Sequence, residues 1–116
     1  MADVTIYHNP GCSTSKTVLA MAEDAGADVE VVQYLKTPPS KERLTWLAEH
    51  LDGPVADLVR KDPYFKELGL DPNDYTQPAA VVALLVEHPR LMQRPLLVKG
   101  DRVVIGRPKE RAAELF

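Results

Sequence analysis

Val4 to His8 reads as a short buried strand, and the Pro10-Gly11 pair beyond it ends that strand, so the chain turns and enters a helix at Cys12. Val18, Met21, Ala22 and Ala25 share one face of this helix, and Gly26 is placed to cap its C-terminus. Val29 to Tyr34 is rich in β-branched residues and reads as a second strand. The intervening helix makes the two strands parallel and the crossover right-handed. The start of the chain is therefore a βαβ unit, and the fold is α/β.

The middle is helical. Ser40 can cap a helix carrying Leu44, Leu47, Ala48 and Leu51 along one side, and Gly53-Pro54 opens a shorter one through Val55, Leu58 and Val59. Pro63 to Pro78 is rich in turn residues and reads as a loop. Ala79 to His88 follows as an apolar helix with Val81, Leu84 and Leu85 toward the core. Pro95 begins the apolar run Leu96 to Val98, Lys99-Gly100-Asp101-Arg102 is a tight turn, and Val103 to Ile105 completes an antiparallel hairpin. Gly106-Arg107-Pro108 breaks the last strand, with Pro108 as the first residue of a closing helix to Phe116. The order is βαβ, helices, ββα, in one domain over residues 1–116 with a helical insertion at about 40–90.

The 116 residues suffice for a core without covalent staples, and 45% hydrophobic with 27% charged residues is ordinary for a globular protein. One cysteine forbids an internal disulfide, so a cytoplasmic protein is expected. No apolar run approaches the ~20 residues needed to span a bilayer, which argues against a membrane protein. A net charge of −3 argues against a nucleic-acid-coating surface. The three histidines are too dispersed for a metal site. His50 is expected on a solvated helical face, His88 at a helix end, and Trp46 buried beside Leu44 and Leu47. No long apolar stripe is left once the core is assigned, so a monomer is expected.

Cys12 sits in Tyr7-His8-Asn9-Pro10-Gly11-Cys12-Ser13-Thr14-Ser15-Lys16, where small polar residues leave the N–H groups of a helix start free to face the sulfur. Such a place favours the thiolate. A lowered pKa raises the thiolate fraction but weakens the nucleophile, so on its own it gains roughly a few-fold in rate. For an anionic substrate the remaining catalysis falls to positioned guanidinium groups. The candidates are Arg60, which closes a helix, and Arg94 and Arg107, each directly before a proline. Ser15 stands where a C-x-x-C pair would have its second cysteine, so an external thiol must regenerate Cys12.

The N-terminal motif, Leu35-Lys36-Thr37-Pro38-Pro39-Ser40, Val59-Arg60-Lys61, His88-Pro89 and Arg94-Pro95 together resemble the glutaredoxin-coupled arsenate reductase family, over nearly the whole chain. The resemblance implies a thioredoxin-like mixed sheet with the helical insertion. It implies Cys12 as nucleophile, His8 as a catalytic residue that lowers the thiol pKa, and Arg60, Arg94 and Arg107 as ligands of arsenate or a related oxyanion. It further implies a cis Arg94-Pro95 bond, with Pro95 a structural residue beside the site. Lys16 stands where members commonly carry arginine. In the implied reaction Cys12 attacks arsenate, glutathione acts as co-substrate and arsenite departs. Glutaredoxin then reduces the mixed disulfide, and no cofactor is tightly bound. A glutathione-dependent thiol oxidoreductase with another substrate and an Spx-type transcriptional regulator share the same fold.

Overall fold

The computed structural model describes residues 3–116. Strand β1 (Val4–His8) leads into helix α1 (Ser13–Asp24) and strand β2 (Val29–Gln33), which pairs parallel with β1 from Val4↔Val29 to His8↔Gln33. Helix α1 stops in a Schellman arrangement: Ala27 N–H donates to Ala22 O, Gly26 N–H to Glu23 O, and Gly26 takes φ 72°. Strands β3 (Leu96–Lys99) and β4 (Arg102–Ile105) form the expected antiparallel hairpin, and β3 runs antiparallel to β1. The sheet order is β2-β1-β3-β4, the thioredoxin-like mixed sheet.

Between β2 and β3 lies the helical insertion: α2 (Lys41–His50), a 3-10 turn at Val55–Leu58, α3 (Pro63–Glu67), a 3-10 turn at Pro72–Asp74, α4 (Pro78–Glu87) and a 3-10 turn at Pro89–Leu91. The sheet's side chains alternate between two cores. Val4, Ile6, Leu97 and Val104 pack against Val18 and Ala22 of α1 and Ala112 of the C-terminal helix α5 (Glu110–Ala113). Tyr7, Leu96, Val98, Val103 and Ile105 face Leu44, Leu47, Val81 and Leu85 of the insertion. Leu51 and Asp52 cover the β4 edge, with Asp52 N–H donating to Val103 O at 2.8 Å.

Five local expectations change. The second strand ends at Gln33, one residue before Tyr34. The segment read as a loop over 63–78 contains α3, because Asp62 caps Phe65 N–H, Pro63 takes the first helical position and Phe65 is buried. The closing helix spans only Glu110–Ala113: Pro108 heads a turn, accepting from Arg111 N–H, and the helix starts two residues later. Trp46 is half-buried, not enclosed, its ring 4.3 Å from His50 and 4.4 Å from the Arg43 guanidinium. His50 is likewise half-buried, donating from Nδ1 to Trp46 O, while His88 caps the end of α4 as expected. Among the described residues, no helix is long and apolar enough to cross a membrane, and no cluster of three metal-binding side chains occurs.

Candidate active site

Asn9 to Cys12 make the turn that aims the thiol. Cys12 N–H donates to Asn9 O at 3.0 Å, and Gly11 N–H donates to Asn9 Oδ1 at 2.9 Å. Cys12 is then the N-cap residue of α1 in extended conformation, its carbonyl accepting the first helical hydrogen bond from Lys16 N–H. The Ser15 N–H faces the sulfur without completing a capping hydrogen bond. The residue is 7% exposed, so the thiol lies at the floor of the site.

Two arginines meet it. Arg107 Nη2–H donates to Cys12 Sγ at 3.2 Å across 95 residues of sequence, and Arg107 Nε–H donates to Arg94 O at 2.7 Å. One guanidinium therefore holds the sulfur and the backbone of the second arginine together. The Arg94 side chain also faces the sulfur. Both Arg94-Pro95 and Arg107-Pro108 are cis, and both prolines leave the preceding arginine at the mouth of the β3-β4 hairpin. Burial pushes the thiol pKa up, but the Ser15 N–H, the Arg94 side chain and the Arg107 charge outweigh it, so the pKa falls below the ordinary thiol value.

His8 and Ser15 lie behind the sulfur, both buried. Asn9 N–H donates to Ser15 Oγ at 3.1 Å, and Ser15 Oγ is hydrogen-bonded to His8 Nδ1 at 2.7 Å. Burial, and then the Lys16 charge, push the His8 pKa down, which favours the neutral ring. His8 thus bonds to Ser15, and the direct partners of Cys12 are arginines. Arg60 does not close a helix but lies two residues beyond the 3-10 turn Val55–Leu58, where its N–H donates to Leu91 O at 2.7 Å while Gln93 N–H donates to Leu58 O at 2.8 Å. Its side chain pairs with Asp62 at 3.3 Å. The same carboxylate caps α3 through its other oxygen.

A cleft of about 260 Å³ opens beside Arg107, lined also by Lys61, Gln93, Arg111 and Asp57. A second, of about 390 Å³, lies between Arg107 and the first turn of α1, against Ser13, Thr14 and Thr17. Sequence reasoning read Ser15 only as a missing cysteine and passed over Asn9 and Tyr34. Asn9, in the Asn-Pro-Gly turn, carried a recognisable Asx-turn signal. The site suits an anion: a buried thiolate-favouring sulfur, a helix N-terminus and cationic groups converge where solvent has access.

The whole chain is similar to known arsenate reductases. The chain is 37% identical over 112 residues to an arsenate reductase of Neisseria meningitidis, covering 95% of each. It is 35% identical over 118 aligned positions to the arsenate reductase of Escherichia coli K12, covering all of this chain and 82% of that protein. The solved arsenate reductase of Vibrio cholerae superposes with a TM-score of 0.86 at 38% identity, over 99% of this chain and 98% of that one. Residues 7–115 match the ArsC family, and the chain belongs to it.

Proposed function

We propose that the protein is a glutathione- and glutaredoxin-dependent arsenate reductase. The observation that carries the reading is the 3.2 Å contact from Arg107 Nη2 to the Cys12 sulfur, with Arg94 facing the same atom. The kinship with arsenate reductases supports it.

The Cys12 thiolate attacks the arsenic of arsenate. An S–As bond forms, an As–O bond breaks, and the oxygen leaves as water after taking a proton. Arg94 and Arg107 hold the remaining oxyanion oxygens, and Arg60 joins them once it exchanges Asp62 for the substrate. A glutathione thiolate then attacks the Cys12 sulfur. The S–As electron pair passes to arsenic, which is reduced from As(V) to As(III), takes up two protons and departs as arsenite. The two sulfurs are oxidised to a mixed disulfide, which glutaredoxin reduces through a second glutathione. Ser15 in place of a second cysteine makes that external donor necessary. The cleft at Lys61, Arg107 and Arg111 offers cations to a carboxylate-bearing thiol, with Arg107 linking it to the sulfur. The electrons come from thiols, so no tightly bound cofactor is required, and the cycle belongs in the reducing cytoplasm.

The test is NADPH-coupled arsenate reduction with glutathione, glutaredoxin and glutathione reductase, with arsenite quantified directly. Wild type should turn over and Cys12→Ser should not. A wild type that forms no arsenite, its thiol still readily alkylated at neutral pH, refutes the reading.

A further inference from the structure

Two buried polar atoms at this site have no hydrogen-bond partner: the Tyr34 hydroxyl and Arg94 Nε. Tyr34 is fully buried, enclosed with Tyr7, Leu44 and Met92. Leaving a hydroxyl unpaired in such surroundings costs stability, so its retention calls for a function. The topology says where it lies. β1 and β2 run parallel and their last pair is His8↔Gln33, so Asn9 and Tyr34 are the next residues at the adjacent carboxyl ends of the two strands. Carboxyl ends of parallel strands are where ligands of α/β sheets bind. Arg94 and Asn9 lie against the Tyr34 hydroxyl, opposing the rise that burial gives its pKa, yet neither completes a hydrogen bond to it. Asn9 Oδ1 is already engaged by Gly11 N–H. Arg94 Nε–H is a donor without an acceptor, and the Tyr34 oxygen is an acceptor without a donor.

We propose that Tyr34 is a positioning residue of the oxyanion site, its buried oxygen accepting the Arg94 Nε–H when an oxyanion draws the Arg94 guanidinium into place. The inference rests on reading Arg94 as an oxyanion ligand. The free protein keeps both groups unpaired, and the bound state pairs them. The hydroxyl thus adds to oxyanion affinity without adding to the stability of the free fold. With its Nε–H fixed, the guanidinium presents its terminal nitrogens to the ligand in one orientation.

Tyr34→Phe removes the oxygen and keeps the ring. Its Tm should equal or exceed that of wild type, because no hydrogen bond of the free protein is lost. Alkylation of Cys12 by iodoacetamide without oxyanion should proceed within about twofold of the wild-type rate. The arsenate concentration giving half-protection of Cys12 should rise roughly tenfold, the scale of one hydrogen bond to a charged group, and the arsenate KM should rise with it. In an Arg94→Lys background, which has no Nε–H, the same substitution should leave protection unchanged. A clearly lowered Tm, a protection curve that overlays wild type, or an equal effect in the Arg94→Lys background would overturn the proposal. Protection is read without turnover, so a protein that bound the oxyanion but formed no arsenite would fail the reductase reading alone.

Discussion

Arg107 makes two hydrogen bonds with one guanidinium, and replacing it separates charge from shape. Its Nη2–H meets Cys12 Sγ at 3.2 Å and its Nε–H meets Arg94 O at 2.7 Å. A hydrogen bond involving a charged group contributes about 1.5–3 kcal/mol, and each 1.4 kcal/mol is a factor of ten. Arg107→Ala should therefore lower kcat/KM for arsenate by roughly 10- to 150-fold from the sulfur contact alone. Release of the Arg94 backbone adds to the loss. Arg107→Lys keeps the positive charge but can reach only one of the two acceptors, so its kcat/KM should fall between the two. The pH profile of Cys12 alkylation separates the causes. Arg107→Ala should move the midpoint up toward the ordinary thiol value of 9.0, while Arg107→Lys should move it less, because its charge still favours the thiolate. Arg102→Ala is the control: this exposed arginine at the opposite end of β4 pairs with Asp52 and Glu114, and its loss should change neither measurement. A wild-type midpoint in Arg107→Ala, or equal kcat/KM in all three variants, would refute the reasoning.

Gly106 has no room for a side chain, since a Cβ would lie 2.9 Å from Pro95 Cγ and 3.1 Å from Leu97 Cδ1. Gly106→Ala should cost about 1–3 kcal/mol in urea unfolding and lower kcat/KM by displacing the prolines that set Arg94 and Arg107. Asp62→Asn keeps an N-cap for α3 but removes the partner of Arg60, so steady-state kinetics should show arsenate KM falling up to about fivefold, the limit for a partly exposed ion pair; a rise in KM would deny Arg60 its role. The depressed Cys12 pKa adds stability that is fully present above the ordinary thiol value and disappears as pH falls through the folded value, so the stability gap between wild type and Cys12→Ser should widen as pH rises toward the ordinary thiol value of 9.0. His8, held neutral by burial, adds a trend of the same sign at lower pH: below its ordinary value of 6.5 the unfolded chain takes up a proton that the fold resists, so stability should drop on acidification, and less so in His8→Asn.

The βαβ start and the closing hairpin were legible because periodicity and turn residues are local. Val4, Ile6 and Val18 meet in one core, and Leu96 to Val98 pair with Val103 to Ile105. Helix α3 was missed although Asp62-Pro63 is a cap followed by a favoured first residue; five residues leave too little periodicity to see. Cys12 announced itself through its neighbours in sequence. Arg107 could be nominated from its place before a proline, but its contact with a sulfur 95 residues away is a property of the folded hairpin. Arg60 shows the converse, for its partner Asp62 lies only two positions on and was overlooked because an ion pair has no sequence period. Tyr34 read as the end of a strand, and only three-dimensional burial exposes its unpaired hydroxyl.

A thiolate attacking an oxyanion must bring two negative charges together, and this repulsion decides what the site needs. At 4 Å and an effective dielectric constant of 20 it amounts to about 4 kcal/mol, comparable to three factors of ten in rate. A lowered thiol pKa alone does not remove it. One cation on the sulfur would offset the repulsion but leave the substrate unoriented. Here Arg107 holds the sulfur and the Arg94 backbone at once, and the Arg94 guanidinium faces the same sulfur. Arg60 is paired with Asp62. The buried sulfur thus gains reactivity from the geometry of its counterions, and the open end of the β3-β4 hairpin that carries Arg94 and Arg107 is as much a part of the chemistry as the cysteine.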